Sequence, residues 1–221
     1  MPGFTDGAQR ASRRFTIGAR SRSFGASLIA ASMLASLIAA PVAAGSTVAS
    51  VRIPAVTPVV TTSIDRSWYP EEMLVLKWTN CTRTGGWVLS DGTCRGYGSG
   101  RYSAYVAPLA HSAGLSDLVA RPYAKLLAVK AKCSHTLDGD PGYRLRRAGY
   151  RAYTWGENIG CRDGYRYATP AVLASHLNFQ AEKSTNGGHW KNIKNAKYKW
   201  IGIGVWKYSG RVRLVTDFYS G

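Results

Sequence analysis

Four side chains stand out by type and setting: His135 in Cys-Ser-His, Glu157 in Trp-Gly-Glu-Asn, Glu182, and His189 in Gly-Gly-His-Trp. Two imidazoles and two carboxylates can form a zinc-type site with N and O ligands and one open coordination position. They also suit another arrangement, in which each carboxylate takes one ring N–H and fixes the tautomer of that imidazole. A purely architectural network, locking helices to a sheet, is the third reading. The segment from Glu182 to Ile193 holds two of the four, and Gly187-Gly188 is expected to let the backbone turn tightly and expose the His189 ring. All four side chains are expected to converge on one cleft. His111 and His176 have no comparable neighbours and are read as bystanders, on a loop and a helix surface respectively.

Catalysis asks for more than these groups. A hydrolase needs a nucleophile or an activated water, together with a stabiliser for the developing oxyanion. Ser134 adjoins His135, but neighbours in sequence need not aim at one another. A binding or interaction module therefore ranks first. A metal-dependent hydrolase acting on peptide or wall substrates ranks second.

The elements that would position these groups follow from periodicity and punctuation. Pro70-Glu-Glu opens a helix reaching Arg83, with acids in its first turn. Residues 84–101 are rich in glycine and read as a stapled loop. Leu115, Leu118, Val119, Leu126 and Val129 keep a helical period over 115–132, and Pro122 either kinks that helix or begins its main segment. His135 follows closely. Asp140-Pro141 reads as a cap and first turn for a short helix ended by Gly149. Residues 150–159 read as a strand delivering Glu157. Thr169-Pro170 opens a helix with Glu182 near its last turn. Trp200–Trp206 and Val212–Tyr219, joined across Tyr208-Ser-Gly-Arg211, read as a hairpin. Helices precede strands, so the expected class is α+β with antiparallel strands.

The chain's outer properties point outside the cell. Residues 1–44 combine a basic start, an apolar run of about 17 residues and a small-residue stretch at Pro41-Val-Ala-Ala44, the pattern of an export signal. An uncleaved anchor is the rival reading, and Arg13-Arg14 leaves the Sec and twin-arginine routes both open. Residues 45–69 are read as an extended linker and 70–221 as the domain. Four cysteines allow three pairings, and local order favours Cys81–Cys94 and Cys133–Cys161. Such bridges persist in oxidising compartments, so the protein is expected to be secreted or wall-associated. Of the net charge of +17, residues 1–44 supply +4 (five Arg, one Asp); the rest, with 24 basic and 11 acidic residues, carries +13. That balance attracts anionic envelope polymers and lipid headgroups. Nucleic acid would be drawn by the same charge, but no recognised reading motif accompanies it.

Several motifs in one order resemble the CAP superfamily (cysteine-rich secretory, antigen 5 and pathogenesis-related 1 proteins), especially its bacterial secreted branch. They are Asn80-Cys-Thr-Arg83, Ala107-Pro-Leu109, Cys-Ser-His135, Gly-Glu157-Asn, Phe179 before Glu182, Gly-Gly-His189-Trp-Lys-Asn192-Ile, and the terminal Gly-Ile-Gly-Val-Trp. The resemblance spans roughly residues 70–221. It implies an α–β–α sandwich with a small antiparallel sheet between helical layers, and a cleft lined by His135, Glu157, Glu182 and His189. It further implies that His135 and His189 could hold a divalent cation such as zinc, supported by Glu157 and Glu182, or that the cleft takes a small apolar ligand. No single enzymatic activity goes with the family. Phe179 departs from its pattern, where a tryptophan is usual, as does the long glycine-rich insert before Arg101.

Overall fold

A computed structural model describes residues 63–221 except Ala152. The expected export signal (1–44) and most of the expected linker lie outside the described residues. Helix α1 (Tyr69–Arg83) carries proline in its first turn, as its sequence required. After it come two short paired strands, β1 (Trp87–Val88) and β2 (Cys94–Arg95), inside the glycine-rich stretch. That stretch is more than a loop. Val88 is fully buried and its backbone exchanges hydrogen bonds with the Gln180 side chain in both directions. The Cys81–Cys94 disulfide clips this hairpin to α1.

The centre is a four-stranded sheet in the order β3–β5–β6–β4, with β3 (Ala110–His111) parallel to β5 (Trp200–Tyr208). β6 (Arg211–Ser220) runs antiparallel to both β5 and β4 (Thr154–Asp163). Ser209 and Gly210 close the β5–β6 hairpin at φ 49° and 75°, the two positive values that a two-residue turn of matching twist requires. The expected strand over 150–159 starts later and runs longer than its local pattern suggests. Tyr150 is held in a turn by its N–H to the Leu145 carbonyl, and pairing with β6 then carries β4 to Asp163. Long-range pairing, invisible to a local pattern, sets these ends.

Side chains alternate across the sheet and sort into two layers. Ile201, Ile203, Val205, Leu214 and Phe218 pack with α1, α5 (Ala168–Ala181) and α6 (Gly188–Lys194). On the other face, Ile159 and Val215 meet Ala120, Tyr123 and Leu127, and Tyr219 meets Leu115, Val119 and Leu145 of the short helix α4 (Pro141–Arg147). The result is an α–β–α sandwich of the α+β class, with antiparallel pairing dominant.

Two glycines explain how closely that second layer approaches. A β-carbon on Gly202 would meet Leu115, and one on Gly204 would strike the backbone of Ala120 and Arg121. The chain there passes from α2 (Ala113–Leu115) through a π-helical turn (Ser116–Ala120) into α3 (Arg121–Val129). Ser116 Oγ accepts the Ile203 N–H at 2.8 Å, anchoring the π turn to β5. Pro122 sits in the first turn of α3, so it begins the main segment. Asp140 caps α4 by accepting the Tyr143 N–H, and Gly149 follows at φ 86°. Helix α5 begins one residue before Thr169, whose hydroxyl donates to Glu71.

Asn80 and Arg83, conspicuous in sequence, are fasteners. The Asn80 amide bonds both the N–H and the carbonyl of Leu109, and Arg83 donates to the carbonyls of Ala107, Ile193, Asn195 and Tyr198. A guanidinium inside that carbonyl cage has its pKa lowered to about 10 by burial.

Candidate functional site

The four expected residues come together as two pairs. His135 Nδ1 lies 2.7 Å from Glu157 Oε1, and His189 Nδ1 lies 2.5 Å from Glu182 Oε1. An ionised carboxylate only accepts hydrogen bonds, so each Nδ1 carries a proton, and in the neutral ring it is Nε2 that keeps the lone pair. The ring exposures of 51% and 27% leave both imidazoles within reach of solvent.

The first pair is built from the loop after α3 and from β4. Glu157 projects from β4 into the layer formed by α3 and α4, and its side chain is only 1% exposed. Its second oxygen accepts from the Arg144 guanidinium. Arg144 also donates to the carbonyls of His135 (2.9 Å) and Gly139 (2.6 Å) and lies over the Tyr123 ring. Tyr123 in turn donates to the Ser134 carbonyl at 2.5 Å and accepts the Leu137 N–H. The Cys133–Cys161 disulfide ties the same loop to β4. Ser134 Oγ is engaged with Thr136, not with the imidazole, so these residues form no nucleophile–base pair.

The second pair is compact in sequence. Glu182 opens a 3-10 turn (Glu182–Thr185), and Asn186 reverses the chain at φ 50°. Asn186, not a glycine, takes the left-handed conformation. Gly187 has an ordinary φ of −69°; its role is steric, because a β-carbon there would collide with the Glu182 carboxylate. That closeness lets Glu182 Oε2 accept the His189 N–H at 2.9 Å, capping α6 while Oε1 holds the ring. Burial, the largest single influence, raises the Glu182 pKa, but the hydrogen bonds and charge of His189 together outweigh it and leave the carboxyl below its usual value. Phe179 stacks on the His189 ring with centroids 4.4 Å apart. The phenylalanine does there what a larger aromatic would do.

Glu157 and Asn158 are consecutive on β4, so their side chains enter opposite layers. Asn158 donates to the His189 carbonyl, and Asn192 of α6 donates to both the Glu157 carbonyl and Asn158 Oδ1. The two pairs thus flank β4, an edge strand of the sheet, and are joined through its backbone. As to metal, all four carboxylate oxygens are already hydrogen-bonded within the protein, which does not suit Glu157 and Glu182 to direct ligation. Among the described residues no group of three or more His, Cys, Asp and Glu side chains is arranged to hold an ion. In both pairs it is Nδ1 that the carboxylate engages, so Nε2 is the ring atom left without a hydrogen-bond partner among the described residues.

Three participants escaped the sequence reading. Arg144 lay hidden in an arginine-rich helix, with only its position one turn after Asp140-Pro141 as a signal. Asp217 was masked inside an apolar strand. It is buried opposite Glu157, and neither oxygen has a hydrogen-bond partner among the described residues. Burial, then the nearby Glu157 charge, pushes its pKa well above the usual carboxylate range. His176, expected on a helix surface, is fully buried against Trp78 and hydrogen-bonded to Thr82 Oγ1, and burial drops its pKa to about 3. His111 is half-buried in β3 and bonded to Ser116 Oγ.

Comparison with solved structures finds several that are similar to this architecture. One is an extracellular protein containing an SCP domain from Bacillus anthracis (19% identity, TM-score 0.49, 69% of this chain and 41% of that one). Others are the hookworm platelet inhibitor (12%, TM-score 0.41, 69% and 70%) and NaASP2 with Zn2+ (13%, TM-score 0.45, 72% and 82%). The match therefore spans less than half of the Bacillus protein. No family model matches the sequence, and no curated protein matches it.

Proposed function

We propose that this chain is a secreted binding module of the CAP type, drawn to extracellular or envelope polyanions by its charge and holding a divalent cation or a small ligand at His135 and His189. The observation that carries the reading is the shared geometry of the two imidazoles. Each is oriented through Nδ1 by a carboxylate and leaves an unprotonated Nε2 at the surface. Carboxylates placed behind histidines raise ligand basicity and typically contribute about 10–100-fold in metal affinity. Zinc bound there would supply Lewis acidity; the chain's own groups orient the rings and hold the proton on Nδ1, leaving Nε2 as the nitrogen turned to a ligand. Two disulfides support an oxidising location. No helix among the described residues is long and apolar enough to cross a membrane.

Calorimetric titration with zinc tests the metal part. The reading expects binding that falls at least about tenfold in His135→Ala and in His189→Ala, and also in Glu182→Gln. Equal affinity in all three variants would remove the pair from the function. Retention on an anionic polymer that weakens as salt rises tests the polyanion part.

A further inference from the structure

The turn after α4 and the start of β5 expose large aromatic and cationic side chains that the fold does not need. Tyr153 is 77% exposed and Trp200 is 45% exposed, although neither joins a core cluster. Arg146 and Arg151 are exposed nearby, and among the described residues no carboxylate forms an ion pair with either, whereas Arg147 is engaged by Asp138. Between these residues lie two clefts that share one wall. A cavity of about 390 Å³ is lined by Arg146, Gly149, Tyr150, Arg151 and Tyr153. A second, of about 190 Å³, is lined by Ser112, Leu115, Tyr150, Trp200 and Tyr219. Tyr150 belongs to both and is fixed in place. Its N–H bonds the Leu145 carbonyl at 3.0 Å, and its ring meets Tyr219 edge-on at 5.4 Å.

We infer that the two clefts joined at Tyr150 form a groove for an acidic glycan, a chain of sugar rings bearing anionic groups. The apolar faces of sugar rings lie against Tyr153, Tyr150 and Trp200, while the forks of Arg146 and Arg151 pair with carboxylate or phosphate oxygens in two-pronged fashion. Together the volumes fall in the range of about 300–1,000 Å³ usual for clefts that enclose small ligands. Two shallow depressions set side by side suit a chain of rings. Single-stranded nucleic acid shares the stacking-plus-charge chemistry, but the disulfides favour an oxidising compartment, where acidic glycans are the prevalent polyanions. This inference rests on the polyanion part of the proposed function and gives it a place and a ligand class.

The test measures affinity of the full chain at low salt for four probes: oligogalacturonate, a neutral malto-oligosaccharide, poly(glycerol phosphate) and oligothymidylate. Oligogalacturonate is expected to bind at least about tenfold more tightly than each of the others, because the malto-oligosaccharide lacks charge, poly(glycerol phosphate) lacks rings and oligothymidylate carries its charge on phosphates between bases rather than on sugar rings. Arg151→Gln, Tyr153→Ala and Trp200→Ala are each expected to weaken that binding by about tenfold while leaving zinc affinity unchanged. All three side chains are exposed or half-exposed, so the fold tolerates their loss. Wild-type affinity in those variants would overturn the groove and leave the polyanion reading standing. A neutral, ringless or nucleic-acid probe binding as well as oligogalacturonate would overturn the glycan assignment. No binding to any anionic probe would overturn both.

Discussion

Glu157 and Asp217 sit directly opposite one another on β4 and β6, two carboxyl groups in one buried site. Only Glu157 is compensated, by His135 and Arg144; Asp217 has no hydrogen-bond partner among the described residues. Two like charges so placed cannot both ionise cheaply. Glu157 orients His135, and Asp217 is the carboxyl whose pKa is pushed up, by burial first and then by Glu157.

The consequence for stability is a pair of opposing pH effects. Asp217 has a raised folded pKa, so its favourable contribution is complete below the unfolded value of about 3.9 and is lost as pH rises towards the folded one. His176 has a folded pKa lowered to about 3. Its contribution is complete above the unfolded value of about 6.5 and is lost as pH falls towards 3. In the acid range above about pH 4 the two act with opposite sign, so they offset one another. Denaturant unfolding across that window is expected to show a rising slope in Asp217→Asn and a falling one in His176→Gln. The same slope in both variants would contradict the assignment.

Arg144 connects three acceptors that no shorter or single-pointed cation can span. Arg144→Met leaves Glu157 buried without its strongest partner and is expected to cost about 3–5 kcal/mol in chemical denaturation. Arg144→Lys should recover little of this, because one ammonium cannot replace the fork to His135 O, Gly139 O and Glu157. Full recovery by lysine would show that charge alone matters there.

Gly204 has no room for a side chain. Gly204→Ala pushes the π turn and α3 off β5 and is expected to lower stability by about 1–3 kcal/mol, read as a drop in melting temperature. Gly188→Ala, with nothing within 4 Å of the added carbon, is the matched control and should change stability by much less.

The Cys133–Cys161 bridge joins the His135 loop to β4. Its removal by a Cys133→Ser, Cys161→Ser double variant is expected to cost about 2–4 kcal/mol and to weaken zinc binding beyond any change in the amount of folded protein. Zinc affinity unaffected by the double variant would mean that the loop is positioned by Arg144 and Tyr123 alone.

Much of this was legible in the sequence because local chemistry encodes it. Asp140-Pro141, Ser209-Gly210 and Pro70 mark element ends through conformational preference, and the two pairs of cysteines close short loops. The four residues of the site were conspicuous because imidazoles and carboxylates between glycines and aromatics have no simple packing role. What failed was whatever depends on distant partners. The β4 boundaries are set by pairing with β6, and His176 is buried by α1. The Asp217 pKa is pushed up only by its burial and by Glu157 across from it. The glycines before His189 suggested a conformational role, whereas Gly187 is required by the volume of the Glu182 carboxylate and Asn186 makes the turn.

The central claim is that His135 and His189 are held as Nδ1–H tautomers with Nε2 offered to a ligand. Nitrogen-15 chemical shifts of the ring atoms, recorded at neutral pH before and during addition of zinc, test it most directly. The account predicts protonated Nδ1 and unprotonated Nε2 in both rings, with zinc shifting the Nε2 resonances of His135 and His189 and leaving His176 untouched. Rings protonated at Nε2, or Nε2 shifts in both rings that zinc does not move, would contradict it.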